Sequence, residues 1–395
     1  MKEGWERKKL GEVCDVLNGY AFKSDKYADK GTRIIRITNV QKGFVVDDDP
    51  KFYSDEDMTG LNQYQLYEND LLMSLTGNVG RVGLLAKEML PAALNQRVAC
   101  LRVKVGNVSF RYLFHYLNSS IFEHEAIISA SGIAQKNMST EWLKKHNIPV
   151  PPLPEQEKIV SELDCLSGII EKKRQQLKEL DALAQSIFYE MFGDPVDNER
   201  GWEVKKLKDV TSKIGSGATP KGGNQSYKEH GISLIRSLNV HNNTFLYKDL
   251  AFIDDEQAAS LNNVSLQEND VLLNITGASV ARCCIVPSDV LPARVNQHVA
   301  IIRPKNNANS MFICYQFTSD IYQQELLSIG KSNGATREAL TKAQLESLSV
   351  ILPPLPLQQT FASKIEAIEK QKALIKQSLG EVETLFNARM QEYFG

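Results

Sequence analysis

Two triplets carry the side chains best suited to reading another molecule's hydrogen-bonding edge: Asn95-Gln96-Arg97 and Asn296-Gln297-His298. A carboxamide presents a donor beside an acceptor, which matches adenine, and an arginine fork matches guanine. The competing reading is structural: Asn95 and Gln96 cap a strand turn and Arg97 points to solvent. A second pair of stretches surrounds glycines. Thr76-Gly77-Asn78-Val79-Gly80-Arg81 corresponds to Thr276-Gly277-Ala278-Ser279-Val280-Ala281-Arg282, which is one residue longer. Small residues let backbone approach a phosphate, and Arg81 or Arg282 supplies charge; a tight hairpin with an exposed arginine is the plain alternative. A third pair is polar, with Gln135 and Lys136 in one copy and Thr336 and Arg337 in the other. Arg36 and Arg236 fall in short apolar runs, where a salt-bridge role competes with a contact to a ligand.

Nothing else points to catalysis. There is no Asn/Asp-Pro-Pro-Tyr/Phe tetrapeptide, no Walker A sequence and no His-Glu-x-x-His. The acidic run Asp47-Asp48-Asp49 reads as a solvated turn rather than a magnesium site. Gly215-Ser216-Gly217 with Lys221 lacks the Gly-Lys-Ser/Thr ending of a phosphate loop and reads as a flexible turn. The six cysteines have no paired CxxC spacing, so no metal site is expected and all six are expected reduced. Net charge is −2 over 395 residues with 42% hydrophobic content. Any nucleic-acid contact must therefore come from local patches. No apolar run approaches a membrane span, and the first residues, MKEGWERKKL, lack a signal-peptide core, so a cytoplasmic protein is expected.

The candidate residues come in pairs because the chain is duplicated. Gly4-Trp5-Glu6 returns as Gly201-Trp202-Glu203, Ile35-Arg36 with Asn39-Val40 as Ile235-Arg236 with Asn239-Val240, and Glu68-Asn69-Asp70 as Glu268-Asn269-Asp270. Leu90-Pro91-Ala92 returns as Leu291-Pro292-Ala293. The largest repeated element is a proline cluster followed by a long apolar stripe. In the first copy, Pro151, Pro152 and Pro154 lead into Ile159, Leu163, Leu166, Ile170, Leu177, Leu180, Ala184, Ile187 and Met191. Shifted by 202 positions, Pro353, Pro354 and Pro356 lead into Phe361, Ile365, Ile368, Ile375, Leu379, Val382, Phe386 and Tyr393, with Arg389 at the place of Ile187. Steps of four and three define a coiled-coil seam, interrupted by Lys173 and Lys372. A helix over 155–191 is about 55 Å long and needs a partner; the second copy supplies one.

The expected fold class is α+β: two pseudo-repeated mixed α/β domains separated by two long helices that pair as an antiparallel coiled coil. The expected divisions are a domain over 1–150, a helix over 151–193, a linker over 194–200, a second domain over 201–352 and a second helix over 353–395. Thr32–Val40 and Ser233–Val240, Asn69–Leu75 and Asn269–Ile275, and Val98–Val105 and Val299–Arg303 read as strands; Phe110–Ser119 and Met311–Thr318 read as helices. The phase of the repeat implies a circular pseudo-two-fold arrangement, with the domains at opposite ends of the helix pair and the termini close together.

Duplicated Pro-Pro-Leu-Pro-x-Gln (151–156 and 353–358), Gly-Trp-Glu starts, Glu-Asn-Asp…Thr-Gly and the Phe-Gly-Asp-Pro at 192–195 together make this chain resemble the specificity subunit of type I DNA restriction–modification systems. The resemblance covers nearly the whole chain and implies that each globular part is a target-recognition domain reading one half of a split, asymmetric site on double-stranded DNA. It implies that the helices are a spacer docking two methyltransferase subunits, which carry S-adenosylmethionine and methylate adenine N6. It further implies that two restriction subunits use ATP and magnesium to translocate and cut, and that the specificity chain itself carries no cofactor and no catalysis. A rod of about 55 Å spans about 16 base pairs, so domain centres set inward from its ends would lie about one DNA turn apart. A coiled-coil scaffold whose domains bind protein remains the alternative, to be separated by the salt dependence of DNA affinity.

Overall fold

The computed structural model describes residues 4–104, 106, 108–130, 137–220, 222–331 and 339–395. The chain forms two compact units, Met1–Arg174 with Gln377–Gly395, and Gln175–Lys376. In the first, strands β1 (Cys14–Asn18), β2 (Leu71–Ser74), β3 (Val82–Leu84) and β4 (Val98–Val103) make an antiparallel sheet in the order β1-β4-β2-β3. In the second, β5 (Thr211–Ser216), β6 (Val271–Asn274), β7 (Cys283–Ile285) and β8 (Val299–Pro304) repeat it as β5-β8-β6-β7. The central strands are apolar without alternation because both faces are covered. Leu71 and Met73 enter a core shared with helices, while Leu72 enters a second core on the opposite face. Val271 and Leu273 divide from Leu272 in the same way. The second face is closed by a smaller sheet in which Thr32–Ile35 lies parallel to Ala92–Leu94, and Ile232–Ile235 parallel to Ala293–Val295.

The repeated polar residues are mostly braces. Asn69 and Asn269 sit at positive φ (68° and 66°), which asparagine tolerates. The following Asp70 and Asp270 are buried and hold Arg102 and Arg303 bidentately, at 2.8 and 2.6 Å and at 2.6 and 2.7 Å. The strands expected to run to Val40 and Val240 stop at Ile35 and Ile235. Asn39 Oδ1 accepts the Arg36 N–H (2.9 Å) and Asn239 Oδ1 the Arg236 N–H (3.0 Å), turning each chain into a short 3-10 segment. Gly217 is not a flexible turn: its backbone passes so close to the Val295 carbonyl that a Cβ would lie 1.7 Å from that oxygen.

Two forty-residue helices, α1 (Leu153–Phe192) and α2 (Leu355–Phe394), supply the rest of each core. Their Pro154 and Pro356 sit in the first turn, where no intrahelical N–H is lost. The buried glutamine of the proline motif locks each start to its domain. Gln156 Oε1 accepts the Ser109 N–H (2.8 Å) and its Nε2 donates to the Pro151 carbonyl (2.8 Å). Gln358 does the same with Asn309 (2.8 Å) and Pro353 (2.7 Å).

The helices pack together antiparallel within each unit. In the first unit Glu162 meets Arg389 at 2.8 Å and Arg174 meets Glu383 at 2.6 Å; in the second, Asp181 meets Lys372 at 2.6 Å. Of the expected seam, Ile159, Leu163, Leu166, Ile170, Phe361, Ile365 and Ile368 are buried. Leu177, Leu180, Ile187, Ile375, Leu379, Val382 and Phe386 are half-buried. The last turns abandon the heptad for steps of four: Ala184, Phe188 and Phe192, and Phe386, Met390 and Phe394. There each helix packs on a domain core as well as on its partner, so a broader face is covered. Phe192 meets Phe312 at 4.7 Å between ring centroids, and Phe394 meets Tyr112 at 5.7 Å.

Candidate nucleic-acid interface

In each unit the β2–β3 or β6–β7 hairpin turn lies beside the turn that precedes β4 or β8. Backbone bonds join them: Leu75 N–H donates to the Arg97 carbonyl (3.1 Å) and Ile275 N–H to the His298 carbonyl (3.0 Å). The Thr-Gly loops and the Asn-Gln triplets are thus brought together in both copies. Gly77 and Gly277 have φ of 67° and 75°, with open space where a Cβ would be, so glycine is set by backbone conformation rather than crowding.

The asparagines of the triplets shape their own turns. Asn296 is buried and its Oδ1 accepts the His298 N–H at 3.0 Å; Asn95 makes the longer version with Arg97, 3.5 Å. Gln96, Arg97 and Gln297 are exposed. The guanidinium of Arg97 and that of Arg282 have no partner among the described residues. Arg81, at the corresponding place to Arg282, donates to Gln41 Oε1 (2.7 Å). With its amide turned over, Asn78 Oδ1 accepts from Arg81 Nη1 and Nη2, each at 3.2 Å.

The second unit has a cleft of about 610 Å³ at this place, lined by Thr276, Gly277, Ser279, Arg282, His298 and the Ser237-Leu238 pair. Thr276 Oγ1 lies 2.5 Å from His298 Nδ1, and Gln297 Nε2 lies 3.1 Å from His298 Nε2. The amide oxygen of Gln297 accepts from the Thr219 hydroxyl. Sequence reasoning did not single out Thr219 or Ser237. Thr219 is 78 residues from its partner, and no local pattern announces such a contact.

Arg36 and Arg236 belong to the scaffold. Arg36 Nη2 donates to the Asp49 carbonyl (2.5 Å) and carboxylate (3.2 Å), and Arg236 Nη2 donates to the Asp249 carbonyl. The acidic turn is also used up internally: Asp47 takes Arg33 at 2.9 Å, and hydrogen bonds from Lys51 and Arg36 hold the Asp49 carboxyl below its usual range. Among the described residues no group of three or more His, Cys, Asp or Glu could hold a metal ion, and no helix is long and apolar enough to cross a membrane. All six cysteines are free thiols. Gln135, Lys136, Thr336 and Arg337 lie outside the described residues. The residues that follow, Asn137 and Ala339, bridge to the same hairpins at Thr76 and Thr276.

The chain is thus a duplicated α+β protein in which each domain carries an Asn-Gln loop cluster and is followed by a forty-residue helix. The chain belongs to the family of the type I restriction modification DNA specificity domain, whose profile matches residues 2–181 and again 199–384. It is 24% identical over 433 residues to the type I restriction enzyme EcoBI specificity subunit of Escherichia coli, covering 99% of this chain and 86% of that one. Its fold is similar to that of the type I restriction-modification S subunit from M. genitalium (TM-score 0.59, 13% identity, 99% and 96% of the two chains). It is also similar to a chain from a structure describing complex assembly and conformational transition of the type I R-M system (TM-score 0.55, 19% identity, 100% and 98%).

Proposed function

We propose that this chain is the DNA-recognition subunit of a type I restriction–modification complex. Each unit reads one half of a split, asymmetric site on double-stranded DNA, and the helices set the gap and dock two methyltransferase subunits. Through them two restriction subunits join in complexes that cut. The reading is one of recognition rather than catalysis. S-adenosylmethionine, ATP and magnesium are assigned to the partner subunits, and the site of action is the cytoplasm, where the chromosome lies. The observation that carries this reading is the way the two copies differ. They share their buried braces, Asp70–Arg102 with Asp270–Arg303 and Gln156 with Gln358. They diverge on the exposed loops, at Arg97 against His298 and Asn78 against Ala278. A shared scaffold with different side chains in its exposed loops is what two different half-sites require.

The test is a methylation map. The chain is co-expressed with the methyltransferase subunit encoded beside it, in a host without adenine methylation, and modified bases are sequenced genome-wide. A split motif with methyladenine in both halves is expected. A complex that forms but methylates nothing, or methylates without sequence preference, would sink the proposal.

A further inference from the structure

We infer that Gln297 reads an adenine in the half-site served by the Gln175–Lys376 unit, and that His298 and Thr219 are positioning residues that hold its amide for the purpose; this rests on the DNA reading above. A carboxamide has two N–H donors and an oxygen with two lone pairs. The oxygen of Gln297 is engaged by the Thr219 hydroxyl, and its nitrogen lies 3.1 Å from His298 Nε2. His298 is held in turn through Nδ1, 2.5 Å from Thr276 Oγ1.

Two proton arrangements satisfy this chain. In one, His298 donates from Nδ1 to Thr276 and accepts from the amide at Nε2. In the other the amide is turned over, His298 donates from Nε2 to the amide oxygen and accepts at Nδ1 from the Thr276 hydroxyl, and the amide nitrogen donates to Thr219. In both, Gln297 spends one N–H and one lone pair on the protein. One N–H and one lone pair remain on a side chain that is exposed. That pair is the complement of adenine N7 and N6–H in the major groove. Holding the amide in advance removes the ordering cost that a free glutamine meets on binding.

The first unit lacks this arrangement. Gln96 is followed by Arg97 in place of histidine, and neither side chain has a partner among the described residues. The same glutamine is therefore propped in one copy and loose in the other, which makes the expected effect specific to one half-site.

The experiment compares methylation maps of complexes carrying Gln297→Ala, His298→Leu or Thr219→Val with that of the unaltered complex. Gln297→Ala is expected to relax one A·T pair of one half-site, its preference over other bases falling roughly 10- to 100-fold. His298→Leu and Thr219→Val are expected to relax that same pair to a smaller degree, and the other half-site stays unchanged. An unaltered motif with Gln297→Ala overturns the inference while leaving the DNA reading intact. An unaltered motif with both His298→Leu and Thr219→Val overturns the positioning role. A variant complex that methylates nothing is measured for binding to oligonucleotides with each base pair substituted in turn: a loss confined to one A·T pair supports the inference, and an equal loss on all of them overturns it. Failure of the unaltered complex to give a split motif removes the DNA reading, and this inference with it.

Discussion

His146 is the residue whose protonation the first unit resists. It is buried, with its ring 4.9 Å from that of Trp142 and 5.2 Å from that of Phe122, and its Nε2 lies 3.0 Å from the Tyr116 hydroxyl. Burial lowers its pKa below the ordinary value, although the Glu125 carboxylate, 3.5 Å from Nδ1, acts in the opposite direction. The folded state then binds fewer protons than the unfolded chain wherever free histidine titrates, so stability rises with pH there. The stabilising difference is complete above about pH 6.5 and is lost as pH falls from that value through the lower folded pKa. The second unit shows a natural alternative: Leu348 stands at the corresponding place and is buried. His146→Leu is therefore expected to flatten the slope of melting temperature against pH between about 7 and 5, whatever its effect on absolute stability. Parallel slopes for the two proteins in thermal unfolding across that range would refute the assignment.

Helix α2 carries a lysine where its seam should be apolar. Lys372 is only 4% exposed. Burial opposes its charge, but Asp181 and Glu369, each 2.6 Å from Nζ, outweigh that and raise its pKa. A paired buried charge is weak evidence for stability, and its best-attested use in a helix pair is to fix register. Lys372→Leu leaves the Asp181 and Glu369 carboxylates in contact with solvent rather than buried and unpaired, so it is expected to change stability by no more than about 1 kcal/mol in urea unfolding; a loss of several kcal/mol would show the ion pair to be a net contributor. The helix pair and most of its seam were legible in the sequence, since matched prolines and a step of three and four are local signals. The helix ends were not. Extending the heptad selects Ile187 and Tyr393, whereas Phe188, Phe192 and Phe394 are the buried ones, because a domain core packs there in addition to the partner helix. Shortened strands at Ile35 and Ile235 have a similar origin, in one asparagine side chain outcompeting the ladder. The duplicated loops were recognisable as candidates from their paired occurrence, but neither the juxtaposition of the Thr-Gly and Asn-Gln turns nor the tie from Thr219 to Gln297 has a sequence signal.

At the scale of the whole chain, the two units are joined through the helices rather than by loops alone. The division between units falls after Arg174, inside α1, and after Lys376, inside α2. Each helix thus contributes one half to each core. Adding seven residues at both divisions keeps every seam position in phase and lengthens the pair by about 10 Å, the rise of about three base pairs. On the proposed reading, the bases recognised in each half-site depend on exposed loops that this insertion leaves alone, whereas the gap between them depends on the helices. The doubly extended chain is therefore expected to methylate the same two half-sites separated by about three more base pairs. Inserting seven residues in only one helix puts the two halves of the pair out of step, and stability should fall with no new defined gap. If the doubly extended complex forms, methylates, and keeps the original gap, the spacing is set by something other than these helices; if its half-sites change instead, the loops and helices are not the independent parts that the duplicated architecture implies.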